Sequence, residues 1–264
     1  MFGRVTAVRS QNGPVLPFSV HTHAERPDLA SQLPDLAAGL WPEFLLHGAV
    51  AGRYDHHTFS TFAAFSFSLC VGGEVVASGK TVPLFWDGTP DGLPAGWDAA
   101  LEGSVRGHLA GEAPNTLCAL GAMVSRDRQG QGWSGHVIGA MRALAGQHGF
   151  GALIAPVRPT RKAAYPLTPM ERYALWRRAD GLPFDPWLRT HERLGGRIVR
   201  VADESMTVTG TVGEWETWAG LPLPDGGEDV VPGALCPVSI DLERDEGRYV
   251  EPNVWVVHGL TPGA

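Results

Sequence analysis

The run Thr116-Leu117-Cys118-Ala119-Leu120-Gly121-Ala122-Met123-Val124, followed shortly by Gln129-Gly130-Gln131-Gly132-Trp133-Ser134, decides the fold. The first segment is apolar, uncharged and of strand length, as expected of a strand buried on both faces. The second opens an amphipathic helix. Trp133, Val137, Ile138, Met141, Leu144 and Ala145 form one apolar stripe, and Gly149 stands where a helix-ending glycine belongs. A buried strand that feeds a helix through a glycine turn leaves backbone N–H groups unpaired beside the positive end of the helix dipole. A phosphate suits that place, because glycine lets the backbone approach the anion closely. Arg126 and Arg128 add charge at the rim. Any tight strand-to-helix turn also favours glycine, so the turn alone says only that an anion fits before Trp133. It is not a Walker loop, since no Gly-Lys-Ser or Gly-Lys-Thr follows. It is not a dinucleotide fingerprint either, since the third glycine spacing and an early βαβ unit are missing.

Working outward, the spacing predicts a helix over Asp35 to His47, broken or bent by Pro42, then strands over Phe59 to Val71 and Glu74 to Trp86 joined at Gly72-Gly73. A short helix follows over Trp97 to Leu109, ahead of the Thr116–Val124 strand. Beyond the amphipathic helix come a buried strand over Ala152 to Val157 and a helix over Pro169 to Arg178. Strands are expected over Ile198–Val201, Ser205–Val212, Cys236–Leu242 and Val254–Val257, with a short helix or turn at Gly213–Ala219. This order predicts an α/β protein with a mixed sheet flanked by helices. One elaborated domain is expected over 1–264, with a core of about 30–215, an insertion of about 160–188 and a C-terminal extension of about 216–264.

With 44% hydrophobic and 19% charged residues, the chain reads as a globular protein. A net charge of −7 without a basic run argues against nucleic acid or an anionic membrane as partner. No secretory signal and no membrane-length apolar segment is recognised, so a cytoplasmic location is expected. Cys70, Cys118 and Cys236 are odd in number, far apart and in apolar surroundings, which predicts core residues rather than a disulfide framework or zinc cluster. His21 with His23, and His56 with His57, lack a third ligand at metal spacing, so no metal is expected.

Gln129, Gly132 and Ser134 resemble the acetyl-CoA signature of the GNAT superfamily: glutamine or arginine, two residues, glycine, one residue, glycine or alanine. Here serine stands last. The resemblance implies a GNAT acyltransferase fold and coenzyme A, as acetyl-CoA or malonyl-CoA, held by Met123, Val124, Arg128, Gln129, Gly130, Gln131, Gly132, Trp133 and Ser134. His191-Glu192-Arg193-Leu194-Gly195-Gly196 resembles a second family stretch in which a tyrosine faces the leaving thiolate, with histidine in its place. The chain from Pro156 to Gly213 is further similar to GNAT-like decarboxylase domains of polyketide-synthase loading modules, through Arg158-Pro159-Thr160, Tyr165-Pro166-Leu167, the run Asp180 to Arg189, and Thr209-Gly210-Thr211; Glu251 to Trp255 is similar as well. That resemblance implies Thr160 and His191 as the groups that stabilise an enolate and return a proton. Read without it, His191 is a hydrogen-bonded core histidine and Thr160 a loop residue.

The leading expectation is an acyl-CoA-dependent acyltransferase of the N-acetyltransferase kind, with a small-molecule amine or an acyl-carrier protein as acceptor. Malonyl-CoA decarboxylation and a non-catalytic acyl-CoA-binding protein are the alternatives. Arg158 and Arg161, beside Lys162, are candidates for binding a substrate carboxylate or the nucleotide phosphates, and Trp41 for lining an acyl tunnel. The Thr116–Val124 strand carries no acid, so Glu43, Asp55 and Glu74 remain as possible bases.

Overall fold

A computed structural model describes residues 6–7 and 17–260 of the chain. Strand β1 (Thr6–Ala7) pairs with β2 (Pro17–Thr22), and β2 with β3 (Phe67–Val71). Gly72 and Gly73, with φ of 60° and 91°, supply the left-handed turn that a two-residue hairpin needs between β3 and β4 (Glu74–Leu84). The strand expected from Phe59 starts only at Phe67. Ahead of it, local bonds such as Phe62 N–H to the His57 carbonyl and Phe65 N–H to the Phe62 carbonyl fold the segment into turns, with Phe62 buried and Phe65 partly so.

The helix expected over 35–47 is divided into α1 (Leu33–Ala37) and a 3-10 turn at Glu43–His47, with Gly39 at φ 63° and Pro42 between them. Helices α2 (Ala49–Tyr54) and α3 (Trp97–Leu109) cover one face of the sheet. Strand β5 (Thr116–Val124) leads through the glycine turn into α4 (Trp133–Gln147) on the opposite face, and then comes β6 (Ala152–Val157).

In the stretch read as an insertion, α5 (Met170–Ala174) is shorter than the Pro169–Arg178 helix expected. The chain doubles back at Gly181 (φ 78°), pairing Arg178 N–H with the Leu182 carbonyl and Phe184 N–H with the Trp176 carbonyl. It ends in α6 (Pro186–Arg193), which has proline in its first turn and is capped by Asp185, whose carboxylate accepts from the N–H groups of Trp187 and Leu188.

The two strands expected near 198–212 are one strand, β7 (Arg197–Gly210). It pairs with β10 (Glu246–Gly259) through register shifts at Glu251/Asn253 and Trp255/Val256. Between them lie α7 (Val212–Ala219) and the short strands β8 (Gly227–Asp229) and β9 (Val238–Asp241). The sheet order is β1-β2-β3-β4-β5-β6-β10-β9-β8, with β7 on the other edge of β10. The region read as a C-terminal extension therefore supplies a strand to the middle of the sheet. All neighbours are antiparallel except β5 and β6.

Two main cores fill the faces, one under α3 (Leu101, Cys118, Ile154, Trp255) and one under α4 (Leu69, Leu117, Ile138, Leu153). A satellite core around Phe44, Trp215 and Tyr249 packs the distal ends of β7 and β10. The three cysteines are free, and Cys70 and Cys118 are buried. Among the described residues no helix is long and apolar enough to cross a membrane, and no three His, Cys, Asp or Glu side chains are placed to hold a metal ion.

Candidate active site

The parallel pairing of β5 with β6 covers only Thr116, Leu117 and Cys118, opposite Ala152, Leu153 and Ile154. Beyond that point β6 stays with β10, β5 stays with β4, and the two strands part. The residue at the parting is Leu120, which bulges out of register between Ala119 and Gly121 opposite Thr81 and Lys80. Strand residues in mid-sheet are ordinarily buried, yet Gly121, Ala122, Met123 and Val124 are half-exposed. Their backbone groups on the β6 side have no strand partner, which leaves a template in the middle of a sheet for a ligand carrying amides. Trp97 Nε1 donates to the Leu120 carbonyl at 2.7 Å, and Gln129 Nε2 to the Val124 carbonyl at 3.3 Å.

At the end of β5 the chain makes the glycine turn. Gly130 (φ 75°) and Gly132 (φ 89°) occupy the left-handed region, so glycine is required there. Gly132 begins α4 without a side-chain cap, and among the described residues no backbone carbonyl accepts from the N–H groups of Gly130 through Ser134. A Cβ built on either glycine would meet nothing within 4 Å, so the turn surrounds open space. Gln131 Nε2 donates to the Asp127 carbonyl at 2.7 Å and fixes the loop, while Arg126 reaches the Gly39 carbonyl at 2.9 Å and ties it to the segment after α1. Arg128 lies 3.2 Å from the Asp127 carboxylate. Trp133 is buried against Phe18, with ring centroids 5.5 Å apart, and Ser134 is half-buried on the first turn. The residues present thus fit the pyrophosphate of a nucleotide-bearing acyl donor: free donors, a helix of 15 residues behind them and room in front.

The other face of the split carries one carboxylate with an unpaired oxygen. Asp98, one residue after Trp97 in the first turn of α3, accepts from Thr207 N–H through Oδ2 at 2.9 Å, while its Oδ1 is buried and without a partner. Burial, with the charges of Glu102 and Glu251 adding to it, pushes its carboxyl up to about 6 against the pull of the Thr207 bond. Ser205 links the two sides: its Oγ accepts from Trp97 N–H at 2.9 Å and donates to Asn253 Oδ1 at 2.7 Å. Asn253 Nδ2 donates to Glu251 at 3.0 Å, as does Tyr249 OH at 2.9 Å. Glu251, with no exposed surface, is neutralised by Arg158 Nε at 2.9 Å, and Arg158 also donates to the Gly233 carbonyl at 2.6 Å. Arg158 is therefore spent on a buried ion pair at the end of β6.

The two residues expected to work together stand on neighbouring segments, the turn after β6 and α6. Thr160 is exposed in the turn after β6, next to Arg161, which is also exposed and whose N–H donates to Asp185 at 2.8 Å. His191 lies toward the far end of α6, about 9 Å along the axis from the capping aspartate. It is 3% exposed, its Nδ1 is 3.0 Å from His258 Nε2, and Trp187 packs on its ring. Burial and the neighbouring His258 ring hold His191 down to about 3. His258, which faces Leu153 across the sheet, is held down to about 4 by burial and the Arg142 charge. Trp41 packs on the satellite core with Trp215 and Val212. Of the acids considered as bases, Asp55 is taken by Lys80 at 2.7 Å, Glu43 pairs with His47 on the surface, and Glu74 is exposed beside the β3–β4 turn. Sequence reasoning missed Asp98, Ser205 and Asn253. The one local signal was an acid directly after a tryptophan at a helix start.

Over 276 aligned residues, covering 92% of this chain and 94% of the relative, the chain is 36% identical to the arginine N-acetyltransferase avaD of Aspergillus versicolor. The chain belongs to the GNAT superfamily and is an N-acetyltransferase. No family model matches it. Its GNAT fold is similar to that of the loading GNATL domain of CurA from Lyngbya majuscula, with a TM-score of 0.59 and 14% identity, covering 92% of this chain and 97% of that one. It is likewise similar to the GphF GNAT-like decarboxylase, solved in complex with isobutyryl-CoA, with a TM-score of 0.57 and 17% identity over 92% of this chain and 99% of that one. Both likenesses concern the mixed α/β architecture.

Proposed function

We propose that the chain transfers an acetyl group from acetyl-CoA to an amine of arginine or of a closely similar guanidinium-bearing molecule. The observation that carries this reading is the alignment of two unpaired backbone surfaces, the N–H groups of Gly130–Ser134 and the free edge of β5, at one parting of the sheet. Acetyl-CoA supplies an activated thioester carbonyl to an amine nucleophile. The turn accommodates the pyrophosphate through N–H donors and the α4 dipole, with Arg128 at its rim. Gly121 to Val124 hold the amide-bearing arm by main-chain hydrogen bonds, as an added strand is held. The acceptor enters from the α3 face, where the Asp98 carboxylate, with one oxygen unpaired, is complementary to a cation. Arginine as acceptor follows the name of the 36% identical relative together with that carboxylate.

Decarboxylation of malonyl-CoA asks Thr160 and His191 to act on one carboxylate, and Thr160 is an exposed turn residue whereas His191 is buried. His191 is also engaged with His258. Transfer is therefore the favoured reading. Mass spectrometry of the protein with acetyl-CoA and arginine, and separately with malonyl-CoA alone, tests it. Acetylated arginine and stoichiometric free thiol are expected. Acetyl-CoA formed from malonyl-CoA with no product on arginine would overturn the proposal.

A further inference from the structure

Building on the transfer reading, we infer that Asp98 receives the proton of the acceptor ammonium, while the α4 face of the split holds the donor. Four observations converge on this carboxylate. Its neighbour Trp97 is bonded to the carbonyl of Leu120, two residues past the last β5–β6 pair at Cys118, so the start of α3 sits on the rim of the split. One carboxylate oxygen is fixed by Thr207 N–H, which orients the group, and the other is buried and bonded to nothing. A buried acceptor without a donor is held at a cost that a bound ammonium, or a water carried in with it, removes. The carboxyl titrates at about 6, so at neutral pH it is ionised and accepts a proton more readily than an ordinary aspartate does.

The charged groups around it are accounted for. On α3, Glu102 is bound to Arg106 at 2.7 Å and accepts from Tyr54 of α2 at 3.3 Å. On β10, Glu251 is neutralised by Arg158. On β4, Lys80 is paired with Asp55. Strand β5 offers only the Cys118 thiol, which burial pushes far above its usual range, and β7 presents a backbone N–H, its Arg200 being bonded to the carbonyls of Pro90, Leu93 and Pro94. No cation among these takes the free oxygen of Asp98.

The step balances without a further reactant. The ammonium N–H bond breaks and its proton passes to Asp98. The freed nitrogen pair forms the C–N bond to the acetyl carbon, and the C–S bond breaks with its pair on sulfur. The second nitrogen proton neutralises the thiolate, and Asp98 returns the first proton to solvent.

The test is the pH dependence of kcat/KM for Asp98→Asn and Asp98→Glu beside the wild type, with coenzyme A binding measured for each. Asparagine keeps an oxygen to accept from Thr207 N–H, so the fold and coenzyme A binding are expected to be retained. The wild type is expected to lose activity below about pH 6. The asparagine variant should lose about a hundredfold to ten-thousandfold in kcat/KM at neutral pH. Its remaining rate should rise with pH in step with the free-amine fraction, and Asp98→Glu should recover part of the loss. An asparagine variant within threefold of the wild type that still shows the acid limb would overturn the assignment while leaving the transfer reading standing. A wild type that binds coenzyme A but acetylates no amine would sink the transfer reading and this inference with it. If Asp98→Asn fails to fold, the glutamate variant decides: an acid limb moved from that of the wild type supports the role, and an unmoved one refutes it.

Discussion

Acidification is expected to destabilise this protein through buried imidazoles, among them His23 and the coupled pair His191 and His258. His191 and His258 share a single hydrogen bond between Nδ1 and Nε2, 3.0 Å apart and buried at 3% and 1% exposure. Such a contact needs one nitrogen to donate and the other to accept. Protonating both rings would aim two N–H groups at each other. Both folded-state values are depressed, to about 3 and about 4, against 6.5 for each group unfolded. Below pH 6.5 the unfolded chain binds protons that the folded chain refuses, so stability is full above that pH and falls as pH drops toward 4. At pH 4.5 each imidazole costs about 2 pH units at 1.36 kcal/mol, or roughly 5 kcal/mol for the pair, a large share of a domain's usual 5–15 kcal/mol. Asp98 works the other way. Its carboxyl is raised to about 6, so acidification across the same window returns about 2 kcal/mol. The comparison that isolates the histidines is His191→Asn with His258→Gln, whose amides keep an acceptor and a donor in place of the ring nitrogens without titrating. Urea unfolding followed by tryptophan fluorescence at pH 7 and pH 4.5 should show the wild type losing about 5 kcal/mol more than the double variant. Equal losses in the two proteins would refute the neutral buried pair.

Three further outcomes are expected. Arg158→Met strands the fully buried Glu251 with only Tyr249 and Asn253 as partners, so urea melts should show a loss of about 3–5 kcal/mol, much of it regained when Glu251→Gln is added. Gly132→Ala places a side chain on a residue at φ 89°, costing about 1–2 kcal/mol and weakening coenzyme A binding about tenfold or more in isothermal titration, whereas Gly139→Ala, in the middle of α4, should leave binding unchanged. Asp185→Ala removes one buried carboxylate that accepts from Trp187, Leu188 and Arg161 N–H and from Tyr173 OH, so thermal unfolding should register about 2–4 kcal/mol of lost stability.

How much was legible in the sequence depends on how far apart the cooperating residues lie. The β5–turn–α4 unit could be read because its signals are local: an apolar run, two glycines and a stripe at helical spacing all fall within Thr116 to Gly149. The face around Asp98 could not. Trp97 meets Ser205 across 108 positions and Asp98 meets Thr207 across 109, and nothing near residue 98 announces either contact. Strand β10 shows the same limit. Its apolar end, Val254–Val257, reads as a strand, but Glu246 to Pro252 does not, because its buried members include Tyr249 and Glu251, whose burial depends on partners such as Leu235 and Arg158. The histidine at 191 was legible as a candidate by its place in a motif, and only the structure shows the His258 partner that occupies its Nδ1.

A sheet that parts in its middle has to be held open, since two unpaired strand edges would otherwise close on each other or on water. In this chain the two lips are held by different means. On the β5 lip, the Leu120 bulge turns a carbonyl toward Trp97, and Gln129 of the glycine turn reaches back to the Val124 carbonyl, so the loop proposed to receive the pyrophosphate also holds the strand beside it. On the β6 lip, the chain leaves the sheet at Arg158, whose pairing with Glu251 fastens it to β10 at a register shift. Ser205 and Asn253 join the two arrangements, because Ser205 accepts from the α3 start and donates toward the residue beside Glu251. A substitution at Arg158 or Glu251 should therefore be felt at Asp98 without touching it. The hydrogen-bonded network that stabilises the parting ends at Trp97 N–H, one residue before the group inferred to receive the proton.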